Sequence, residues 1–64
     1  MNANVIARLM FLTLQSFIRG ELPREEFNEI LQDLASQARS GGIGEEAQAA
    51  YWEMCQAWFS QQAA

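Results

Sequence analysis

The chain has 64 residues, half of them apolar, and carries eight acidic side chains against four basic ones for a formal net charge of −4. That length allows one domain over residues 1–64 with a thin core, because a chain of about 60 residues hides only about 60% of its unfolded surface. An acidic chain of this size is not expected to bind nucleic acid or an anionic membrane directly, since both need a basic face to neutralise phosphates.

Alanine, leucine, glutamine and glutamate dominate and runs of β-branched residues are missing, a composition that favours helix throughout. Punctuation then divides the chain into three helices. The first is expected from about Ala3 to Arg19, with Asn2 or Asn4 capping its start and Gly20 closing it in the left-handed conformation. Its polar stripe is narrow: Asn4, Arg8, Gln15 and Arg19. Ile6, Leu9, Met10 and Phe17 share one face, while Phe11, Leu14 and Ile18 lie on the side roughly opposite Leu9 and Val5. A helix apolar around most of its circumference calls for cover on several sides.

Glu21 and Leu22 connect to a second helix over 23–39, where Pro23 suits the first helical position and Glu25 and Glu26 suit the positive end of the dipole. Phe27, Ile30, Leu31, Leu34 and Ala38 form its apolar stripe. Glu25, Glu26, Glu29 and Asp33 make an acidic face outside that stripe. Ser40 to Gly44 read as a flexible loop, a hinge or turn. The third helix is expected over 45–61, with Gln61 to Ala64 fraying. Its arc centres on Tyr51, Cys55 and Trp58, flanked by Ala47 and Met54 on one side and by Trp52 and Phe59 on the other.

Two helices cannot cover three sides of a third in so short a chain. The expected architecture is therefore all-α: a small three-helix bundle or helical hairpin completed by homodimerisation. The candidate partner-binding or dimer-interface residues are Phe11, Leu14, Ile18, Trp52 and Phe59, with Glu25, Glu26, Glu29 and Asp33 as an acidic recognition face.

Nothing in the pattern of residues points to catalysis. Histidine is absent, so no hydrolytic triad and no Glu-x-x-His di-metal site can be written. The carboxylate pairs of the second helix read as a solvated face, and no cofactor or metal is expected. Cys55 stands alone, which rules out an intramolecular disulfide; it reads as a small buried hydrophobe. The Gly41-Gly42-Ile43-Gly44 run has neither the glycine spacing nor the lysine of a phosphate loop, and two glutamates follow it. The hydrophobic stretch from Val5 to Ile18 is too short to span a bilayer and lacks a leader's basic flank, so the cytoplasm is the expected location.

What remains is association. The expected function is an acidic protein-binding module that modulates or inhibits a partner with a basic surface, in the style of small bacterial or phage regulatory factors. An assembly subunit or chaperone of a larger complex is the alternative. A helix-turn-helix regulator fits less well, because its recognition helix would open with Glu45, Glu46 and Gln48.

Overall fold

A computed structural model describes residues 2–62 as three α-helices: α1 (Ala3–Ile18), α2 (Arg24–Ser40) and α3 (Gly44–Gln62). All three pack against one another. Each boundary has a local cause. The Asn2 carboxamide oxygen accepts from the Val5 amide at 2.9 Å, which caps α1 and excludes Asn4 from that role. Both helix-to-helix turns are Schellman motifs. After α1, Gly20 takes a φ of 77°, and the Glu21 amide reaches back to the Ser16 carbonyl at 3.0 Å. After α2, Gly42 takes a φ of 74°, and the Ile43 amide reaches the Ala38 carbonyl at 2.9 Å.

The stretch expected to be a flexible loop is therefore a tight turn. Ile43, the residue just past the left-handed glycine, packs onto the core and pins the turn down. Pro23 sits one residue earlier than expected. It is the N-cap of α2, in extended conformation, and α2 begins at Arg24. Helix α3 runs on through Gln61 and Gln62, which were expected to fray; Ala63 and Ala64 lie outside the described residues.

Ile6 and Met10 of α1 cluster with Leu34 and Ala38 of α2 and Ala47 of α3. Further along α1, Phe17 stacks on Phe27 at 4.5 Å between ring centroids and Phe11 meets Trp58 edge-on at 5.8 Å. These pairings make α2 antiparallel to α1, and set α3 running in the same direction as α1. The Cα trace measures 35 × 25 × 13 Å, so the three helices form a flattened slab. In a slab, one long side of each helix is left without a helix against it.

Burial follows from that shape. Ile6, Ala7, Met10, Leu34, Ala38, Ala47 and Cys55 are buried, and among the described residues Ile6 is the only large side chain buried almost completely. Leu9, expected on the face of Ile6 and Met10, is turned outward instead. Ile30, expected in the buried stripe of α2, is exposed at the rim of that helix. Cys55 is a free, buried thiol, as its reading as a small hydrophobe requires.

Candidate functional site

Two apolar surfaces remain uncovered, and they lie on different sides of the slab. The first is aromatic and belongs mainly to α3. Trp52 and Phe59 are seven residues apart, which puts them on one stripe of that helix about 10 Å apart at 1.5 Å per residue. Trp52 is 61% exposed and Phe59 50% exposed. Trp58 turns inward from Phe59, with its ring 5.0 Å from Phe59 and 5.8 Å from Phe11. Phe11 and Leu14 are half-buried, and Ile18, one turn beyond Leu14, is exposed. The stripe Phe11–Leu14–Ile18 of α1 thus meets the aromatic end of α3 through Trp58. Trp52 stands apart from that junction and borders a shallow hollow with Glu45, Gln48, Ala49 and Tyr51.

The second surface was missed as a site from the sequence. It is the outward ridge of α1, formed by Val5, Leu9 and Leu12, all exposed. A shallow groove runs along each flank. Ile30, Leu22 and Glu21 line the groove towards α2; Arg8 and Met54 line the one towards α3. The spacing 5, 9, 12 is that of a helix seam, alternating four and three residues. That signal was present in the sequence, but the near-uniform hydrophobicity of α1 hid which of its sides would be left over.

Glu25, Glu26, Glu29 and Asp33 are all exposed on α2. Among the described residues none of the four lies within ion-pair distance of a cation; the ion pair formed is Arg19 Nε to Glu21 Oε1 at 3.1 Å, at the α1–α2 corner. An exposed pair of that kind contributes little to stability. The acidic face is therefore a solvated band of uncompensated charge beside the apolar surfaces.

Burial pushes the Tyr51 hydroxyl up to about 12, with the neighbouring Cys55 thiol adding to the shift. Burial also raises the Cys55 thiol, and the Tyr51 hydrogen bond only partly opposes it. Both shifts keep the neutral, protonated forms, the reverse of what activates a nucleophile. Among the described residues no cluster of three or more histidine, cysteine, aspartate or glutamate side chains could hold a metal ion. No described helix is long and apolar enough to cross a membrane. No family model, curated protein or solved structure matches the chain.

Proposed function

We propose that the chain is a small acidic protein-binding module that modulates another protein. The observation that carries this reading is the exposed Trp52–Phe59 stripe of α3. A folded monomer gains nothing by leaving two large aromatic rings in water, whereas aromatic anchors dominate the energy of protein interfaces. Two anchors at i and i+7 on a helix suit insertion into an apolar groove of a partner. Phe11, Leu14 and Ile18 extend the contact at the α1 side. The uncompensated carboxylates Glu25, Glu26, Glu29 and Asp33 favour a partner whose surface around that groove is basic. Such charges speed encounter and reject acidic competitors more than they add affinity.

The test is affinity capture from the cells that make the protein, followed by binding kinetics with the captured partner. Trp52→Ala with Phe59→Ala is expected to abolish capture while the circular dichroism spectrum stays helical, because neither ring is part of the core. Glu25→Arg with Glu29→Arg is expected to slow association about tenfold at low salt, with little change in dissociation. A partner held equally well by the double alanine variant would overturn the assignment of the aromatic stripe. A chain recovered only inside a large stoichiometric particle, and aggregating without it, would favour the assembly-subunit reading instead.

A further inference from the structure

We infer that the outward ridge of α1 is a dimer seam, covered by a second copy of this chain about a two-fold axis running alongside α1. The inference deepens the protein-binding reading, resting on its premise that exposed apolar surface serves association. It assigns to self-association a face that the aromatic rings do not use, and it draws Glu26 and Asp33 of the acidic band into that face, leaving Glu25 and Glu29 for a different protein.

Three observations single out a second copy as the occupant. The first is shape. Leu9 and Leu12, 39% and 49% exposed, form a ridge between two shallow grooves. A two-fold axis along the helix, displaced towards α2, seats the ridge of one copy in the α1–α2 groove of the other, and the reverse by symmetry. The same displacement brings Ile30 of each copy to the other's α1–α3 groove, beside Met54. Every apolar element of the face then has a counterpart on the same face, which is the condition for an isologous interface. Ridges seated in grooves are also how helices pack in general.

The second observation is charge. Arg8 lies in the groove on the α3 side. Asp33 and Glu26 are exposed on α2, one turn either side of Ile30 and on the same flank. The two borders of the face are therefore of opposite sign. A two-fold axis along α1 sets the basic border of one copy against the acidic border of the other. An axis across α1 would set like against like. The face is complementary to itself in one arrangement, and a partner of a single sign would match only half of it.

The third observation is area. Folded monomers of this mass expose about 4,100 Å², whereas this chain exposes 4618 Å². That excess belongs to the whole surface, the aromatic stripe of α3 as well as the ridge of α1, so the ridge accounts for part of it and the interface is a small one. The dimer is accordingly one of modest affinity that exchanges with monomer.

The experiment is sedimentation equilibrium across a concentration series on five proteins, each checked for helicity by circular dichroism. Wild type is expected to pass from monomer to dimer in the micromolar range. Leu12→Glu, which places a carboxylate on the ridge, is expected to weaken the dimer at least about a hundredfold. Arg8→Glu is expected to weaken it about tenfold, and Arg8→Glu with Asp33→Arg to recover most of that loss. A wild type that stays monomeric to millimolar concentration overturns the inference. So does self-association that survives Leu12→Glu but is lost in Trp52→Ala with Phe59→Ala, because the contact is then the aromatic stripe. Failure of the charge swap to restore the dimer overturns the axis along α1. A monomeric wild type and a failed charge swap leave untouched the capture of a different protein by the aromatic stripe, which the double alanine variant reports separately.

Discussion

The two ends of the slab are built from different residues and end up differently sealed. At the end holding the start of α1 and the α2–α3 turn, the small side chains Ala3, Ala38 and Ala47 pack with Leu34 around Ile6 and Met10. Alanine lets the helix axes approach, so a few large side chains are enough to exclude water. At the other end the facing residues are Phe11, Phe17, Phe27 and Trp58, all only partly buried. The slab has no fourth element to roof these rings. The best-buried side chains thus lie at the end with the small residues, and the rings of the other end stay partly exposed.

The largest expected effect is at the sealed end. Ile6→Ala removes a large side chain buried almost completely and should cost about 3 kcal/mol, within the range for buried aliphatic truncations. In a domain with so thin a margin that loss should leave much of the protein unfolded at room temperature, as urea titration would show. Leu34→Ala should cost about 2–4 kcal/mol and Leu31→Ala less, because Leu34 is buried and Leu31 only half-buried. Equal losses at Ile6 and at a position of the open end would break the contrast between the ends.

A smaller effect probes the open end. Phe17→Ala, Phe27→Ala and the double variant form a cycle across the stacked rings, and the coupling between them should be about 0.5–1.5 kcal/mol. A coupling near zero would mean that the rings at this end touch without holding the helices together.

The smallest effect concerns pH and sits at the boundary between the ends, where Tyr51 packs on the core and touches Cys55. The folded-state hydroxyl is raised from its ordinary 10 to about 12, so the folded chain binds more protons than the unfolded chain between those values. The Tyr51 contribution to stability should be level below about pH 10 and fall between there and about pH 12, and the raised Cys55 thiol adds a loss in the same direction as pH rises. Tyr51→Phe should flatten the decline, which chemical denaturation at a series of alkaline pH values would measure. The effect is modest because the hydroxyl keeps contact with water.

Much of this protein could be read from residue order. The left-handed glycine at position 20, an asparagine cap at Asn2 or Asn4 and the acidic first turns of α2 and α3 are local matters, decided within four or five residues by backbone sterics and dipoles, whereas Gly42 read only as part of a loop or turn. Hence three helices and their approximate ends followed from the chain alone, as did the buried stripe around Leu34 and Ala38. The aromatic residues of α3 also stood out, because their volume exceeds what a small core can hold.

What the sequence left undetermined was the choice among competing apolar faces. Helix α1 offers Ile6 and Met10, Phe11 and Leu14, and Leu9 and Leu12 on successive sides, and hydrophobicity ranks them almost equally. Only the positions of α2 and α3 decide between them. Ile43 folds the α2–α3 turn tightly onto the core, Ala38 and Ala47 come together beneath Ile6, and the two helices close over that side of α1. The side bearing Val5, Leu9 and Leu12 is then the one without a neighbour. Burial belongs to the packed set of helices and not to any one of them, so the face left open to a second molecule was a property that only the tertiary structure could assign.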